Sequence, residues 1–97
     1  MNITTENDNG LCRMRIEGEM TIFTADELKK HLFEKLEACS GLDLDLSQVS
    51  EMDTAGFQLL FLTKREFGHL NRPFRIVAQS PVTLSVLKLY NINMEGA

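Results

Sequence analysis

Residues 42–63 read LDLDLSQVSEMDTAGFQLLFLT, and the rest of the chain is organised around this stretch. Leu42, Leu44 and Leu46 alternate with Asp43 and Asp45, the period of a half-buried strand. Residues 47–52 are too polar and irregular to continue that strand, so a short loop is expected there. Asp53 or Thr54 then supplies a helix N-cap, because either side-chain oxygen accepts from a free first-turn N–H. The run Phe57-Gln58-Leu59-Leu60-Phe61-Leu62 is apolar almost all the way round a helix. Such a helix is either wedged between other elements or leaves part of itself for a partner. Gly56 removes a side chain in the first turn, so another backbone or another protein can approach closely there.

Before this stretch, residues 2–5 suit an edge strand, and residues 6–8 are too polar to extend it far. Asn9-Gly10 signals a hairpin, since both residues tolerate positive φ. Residues 11–17 alternate, with Cys12, Met14 and Ile16 facing one way and Arg13, Arg15 and Glu17 the other, and Gly18 breaks the pattern. Thr24 and Glu27 form a capping box, and Ala25, Leu28, Leu32, Leu36 and Cys39 follow at helical spacing. Gly41 is the expected C-terminal glycine of this helix.

After the central helix, residues 68–73 read as a loop and residues 74–78 as an apolar strand interrupted by Arg75. Ser80-Pro81 caps and starts a last helix carrying Val82, Leu84, Val86, Leu87 and Leu89. Asn91 is expected to close it, and residues 93–97 to fray. The order β-β-α-β-α-β-α favours an α/β fold: a mixed β-sheet with helices packed on one face.

The 97 residues suit one small domain, spanning 1–97, with one modest core. A net charge of −4 offers no basic field for direct nucleic-acid contact. The longest apolar run, residues 59–62, is far too short for membrane insertion. The polar start MNITTENDNG is not expected to act as a signal peptide, and cytoplasmic residence is the default expectation. Cys12 and Cys39, without CxxC spacing, are expected to be reduced thiols in or near the core. Asp43 and Asp45 share a sheet face, as a catalytic or metal pair or as cross-strand partners of Arg13, Arg15 or Arg75; the charge-pair reading is favoured by the matching alternation of the arginines. His31 and His69 are lone residues, so no metal set and no cofactor is indicated. Neither histidine lies near the Thr54 turn, and no GxxxxGK loop or GxSxG elbow is present, so the chain is not expected to be an enzyme.

The pattern Asp45-Leu46-Ser47-Gln48-Val49-Ser50-Glu51-Met52-Asp53-Thr54-Ala55-Gly56, followed by an apolar helix, resembles the signature of the STAS family. Looser similarity covers nearly the whole chain, including Glu-Gly-Glu-Met at residues 17–20 and the Ser80-Pro81 helix start. The resemblance implies a mixed sheet covered on one side by helices. It also implies a small regulatory protein–protein interaction domain, resembling anti-sigma factor antagonists that bind a kinase-like anti-sigma factor in a partner switch. The implied contact residues are Asp53, Thr54, Ala55, Gly56 and Phe57. In phosphorylated antagonists the acceptor is the serine just before the glycine, and that position here is Ala55, which has no hydroxyl. Thr54 and Ser50 are the alternative candidate phosphoacceptors. Asp-Thr-Ala-Gly also resembles non-phosphorylated STAS proteins, such as the small subunit of an ABC-type lipid-transport ATPase or those found beside chemotaxis systems.

Overall fold

The computed structural model describes residues 1–90; the expected helix closure at Asn91 and the frayed tail over 93–97 lie outside the described residues. The elements run β1 (Asn2–Asp8), β2 (Leu11–Met20), α1 (Ala25–Ala38), β3 (Gly41–Met52), α2 (Thr54–His69), β4 (Phe74–Gln79) and α3 (Pro81–Leu89). The four strands form one sheet in the order β1-β2-β3-β4. β1 pairs antiparallel with β2, while β2–β3 and β3–β4 are parallel, so the sheet is mixed as expected.

The pattern of apolar residues explains the layering. Cys12, Met14 and Ile16 of β2, Leu42, Leu44 and Leu46 of β3, and Phe74 and Ile76 of β4 are all buried. They meet Leu28 and Leu32 of α1, Leu59, Leu60 and Phe67 of α2, and Leu87 of α3 in a single cluster. Among the described residues no helix lies over the opposite face of the sheet. A parallel pair needs a crossover between its strands, and α1 and α2 are those crossovers, which is why the helices gather on one side.

Asn9 and Gly10 take the expected positive φ values, 52° and 98°, and close the β1–β2 hairpin. Ser80 caps α3 by accepting from the Thr83 N–H, with Pro81 at the helix start.

Other local expectations are corrected by long-range pairing. β1 continues to Asp8, because its polar residues 6–8 pair in register with Arg13, Cys12 and Leu11. β3 continues through residues 47–52, because β2 runs beside it to Met20 and pairs Gly18 with Val49 and Met20 with Met52. Ladder bonds and the burial of Val49 hold a polar segment extended that alternation alone would release. Gly18 therefore does not end β2; at φ 104° it sits in an irregular stretch where the β2–β3 register shifts. Thr24 precedes α1 but makes no side-chain cap. Its hydroxyl instead donates to the Glu19 carbonyl and accepts from the Thr21 N–H, both at 3.0 Å. Gly41 is not the glycine that ends α1; Cys39 is the C-cap, and Gly41 opens β3 against Pro73.

The cysteines carry the largest correction. Cys12 and Cys39 are buried as expected, but they are joined as a disulfide, with Cα atoms 5.8 Å apart. Cys12 lies on β2 opposite Leu42, three residues after Cys39, and the Ser40 N–H donates to the Gly10 carbonyl at 2.8 Å. The end of α1 is thereby laid against the start of β2, a closeness that spacing along the chain does not reveal.

Candidate functional site

Where β3 gives way to α2, the chain turns at Asp53, and Asp53, not Thr54, is the N-cap. One carboxylate oxygen accepts from the Gly56 N–H at 3.1 Å, satisfying a donor of the first turn. The other accepts from the Ile22 N–H at 2.9 Å. The Asp53 N–H in turn donates to the Met20 carbonyl at 3.3 Å. One residue thus ties the start of α2 to the loop leaving β2. The Ile22 hydrogen bond, followed by those from Gly56 and Ala55, holds the Asp53 carboxyl below its ordinary pKa despite an opposing contribution from desolvation.

Gly56 is where the close approach occurs, and the approaching group is backbone of this chain. A Cβ at this position would overlap the Met20 carbonyl oxygen and lie 2.9 Å from its carbon. The glycine lets the first turn of α2 seat on the end of β2, which brings Asp53 within reach of Ile22.

The helix that follows is wedged on one side and open on another. Phe57, Leu59 and Leu60 are buried, whereas Phe61 is 46% exposed. Thr54 is exposed, and its hydroxyl lies 3.2 Å from the Tyr90 hydroxyl. The Tyr90 ring stacks on Phe57, centroids 4.2 Å apart and planes 13° from parallel. Ala55 is half-buried. Ser50 is an exposed residue of β3 whose neighbour Val49 points into the core, so it stands outside the turn.

Ile22, Phe23 and Tyr90 are the residues that sequence reasoning missed. Ile22 and Phe23, in the loop tied to Asp53, are 65% and 90% exposed. Their signal is two adjacent apolar residues between a strand end and a helix cap, belonging to neither period. Together the turn offers an ionised carboxylate, an exposed hydroxyl at a helix N-terminus and two bare apolar side chains. That set can bind a protein surface and can be altered by a charge placed on Thr54. Among the described residues no group of His, Cys, Asp or Glu side chains could hold a metal ion.

On the open face of the sheet, Arg75 clasps Asp43 through two hydrogen bonds of 3.0 Å, so Asp43 is a cross-strand ion-pair partner. Asp45 accepts from the Ser47 N–H at 2.8 Å. Its pKa is lowered by hydrogen bonds from the Ser47 side chain and backbone, with a smaller contribution from Arg15.

The sequence pattern of the STAS domain matches residues 2–95. The chain belongs to the STAS domain family. No curated protein is significantly similar to this STAS domain in sequence. Solved structures share its fold. An anti-sigma factor antagonist from Mycobacterium paratuberculosis superposes with a TM-score of 0.82 at 24% identity, over 92% of this chain and 76% of its own. The Bacillus cell fate determinant SpoIIAA in its phosphorylated form gives 0.76 at 16% identity, over 93% and 84%. A serine-to-glutamate variant of RsbS from Moorella thermoacetica gives 0.77 at 18% identity, over 99% and 83%. No helix among the described residues is long and apolar enough to cross a membrane.

Proposed function

We propose that this STAS domain is a regulatory interaction domain of the anti-sigma factor antagonist type. It acts by binding, without catalysis, in the cytoplasm, and docks on a kinase-like anti-sigma factor through Asp53, Thr54, Ala55 and the first turn of α2. Support comes from one observation above all: the exposed Thr54 hydroxyl stands at a helix N-terminus next in the chain to Asp53, whose carboxylate holds the loop bearing the exposed side chains of Ile22 and Phe23. An apolar pair on a loop tied to the turn that carries a modifiable hydroxyl suits a docking surface that added charge can weaken. Gly56 and Phe57 serve the site from beneath, since both are buried. Ser50 is the weaker acceptor, being on the strand and outside the turn. The test is calorimetric titration of a histidine-kinase-like anti-sigma factor from the same genome. Thr54→Glu is expected to weaken binding by tenfold or more, about 1.4 kcal/mol, and an unchanged affinity sinks the site.

Ala55 favours a second reading, because it leaves no hydroxyl directly before Gly56. On that reading the domain is a constitutive, non-phosphorylated subunit of an ABC-type lipid-transport ATPase or of a chemotaxis complex. Thr54→Ala then disturbs assembly by lost contact, and no phosphorylated form is found by mass spectrometry of the native protein.

A further inference from the structure

The face of the sheet that the helices leave bare carries a charge pattern of unusual regularity. Pairing across the four strands places Glu6, Arg13, Asp43 and Arg75 in one row. Read from β1 to β4, the signs are minus, plus, minus, plus. The next row is Thr4, Arg15 and Asp45, and past a register shift in β4 the exposed Val77 completes it on this face: neutral, plus, minus, neutral. The arginines are accessible, with Arg13, Arg15 and Arg75 side chains 55%, 47% and 48% exposed. Thr4, Glu6, Arg13, Arg15, Asp43 and Asp45 are among the residues lining a shallow depression of about 460 Å³.

Each row turns into its own complement when its order is reversed. A two-fold axis parallel to the strands, midway between β2 and β3, performs that reversal and leaves position along the strands unchanged. A second copy related by this axis sets Arg13 over the other copy's Asp43, Arg15 over its Asp45, and Glu6 over its Arg75, each contact occurring twice as in any isologous interface. The register makes the match possible, because Arg13 lies beside Asp43, and Arg15 beside Asp45, at the same level of the parallel pair. Facing sheets pack about 10 Å apart. One long arginine and one short aspartate meeting across that gap suit the spacing, and the usual twist between packed sheets is least disruptive at the central strands, where these pairs sit.

We propose that the bare sheet face is a self-association surface for a second copy of this chain, held by reciprocal Arg15–Asp45 pairs, with Arg13 set over an Asp43 that Arg75 of its own chain already clasps. The pairs are charged and the arginines about half exposed, so the dimer is expected to belong to the weak class. Charge pairs that stay partly solvated contribute more to orientation and encounter rate than to affinity. The Asp53 turn does not line the depression, so it stays available while two copies are joined.

The test is sedimentation velocity of the intact protein up to millimolar concentration, at low and at high salt, with two exposed-side variants checked for folding by circular dichroism. The expected result is a concentration-dependent dimer that weakens as salt shortens the screening length. Arg15→Glu and Asp45→Lys each place like charges opposite one another and are expected to weaken self-association about tenfold. An equimolar mixture restores it, because Glu at 15 then faces Lys at 45, and the unmutated Asp45 of one copy faces the unmutated Arg15 of the other. Arg13→Glu, at the most exposed of the three arginines, repeats the test should Asp45→Lys fail to fold. A wild type that stays monomeric at low salt overturns the proposal. So does a dimer indifferent to Arg15→Glu and Arg13→Glu, or one whose loss in the two folded variants is not repaired by mixing them.

Discussion

Asp53 and Ile22 are 31 residues apart in the chain and joined by a hydrogen bond of 2.9 Å, from the Ile22 N–H to the Asp53 carboxylate. The same side chain caps α2 through the Gly56 N–H. A single carboxylate therefore serves both as a helix cap and as the tether of the loop that exposes Ile22 and Phe23. Asp53→Ala removes both contacts and is expected to cost about 1–2 kcal/mol in urea unfolding, the range of a strong cap deletion. Asp53→Asn keeps a good capping group and is expected to lose less.

The depressed pKa of Asp53 gives this contact a pH signature. A carboxyl with a folded-state pKa below its unfolded value adds stability that is present above the unfolded pKa, about 3.9, and is lost as pH falls through the folded value. Asp45 has the same sign of shift. Unfolding free energy is thus expected to decline on acidification below about pH 4, and the decline is shallower in Asp53→Asn. Parallel acid profiles for the variant and the wild type contradict this assignment.

Two glycines of α2 are expected to respond to alanine with opposite signs. At an exposed helix interior, Gly→Ala gains up to about 1 kcal/mol. Gly68 has open space around a Cβ, so Gly68→Ala is expected to stabilise by part of that amount. Gly56 is seated on the Met20 backbone, which cannot swing aside like a side chain, so Gly56→Ala destabilises by about 1–3 kcal/mol. Thermal unfolding of the pair measures both. Stabilisation by both alanines contradicts the seating of α2 on β2.

Tyr90 separates stacking from hydrogen bonding. Tyr90→Phe keeps the ring on Phe57 and removes only the hydroxyl beside Thr54, a partly exposed contact whose loss is expected to cost under about 1 kcal/mol. Tyr90→Ala also removes the stacked ring and is expected to cost about 1 kcal/mol more. Equal costs for the two variants contradict a stacking contribution.

The Cys12–Cys39 bond closes a loop with a sequence separation of 27 and is expected to contribute about 2–4 kcal/mol in the oxidised protein. Urea unfolding with and without a thiol reductant gives the difference, and alkylation under denaturing conditions counts the thiols directly. In a reducing compartment the pair favours thiols, which then pack as two small buried hydrophobes. An unfolding midpoint insensitive to reductant contradicts a structural role for the bond.

Much of this STAS domain was legible in its sequence, for a definable reason. The alternation at Leu42, Leu44 and Leu46, the positive-φ pair Asn9-Gly10 and the Ser80-Pro81 helix start each record a local demand of burial or backbone geometry. Such demands act within a few residues of the side chain that answers them, so element order, core face and the position of the turn before α2 can be read along the chain. What only the tertiary structure decided depends on which distant groups meet. β3 runs to Met52 because β2 supplies a ladder beside it; Cys39 finds Cys12; Gly56 yields to the Met20 carbonyl; and Asp53 is selected over Thr54 as the cap while it also holds Ile22. Those outcomes are set by strand register and by backbone-to-backbone approach, which leave no periodic trace in sequence because the two partners are separated by a whole element of the fold.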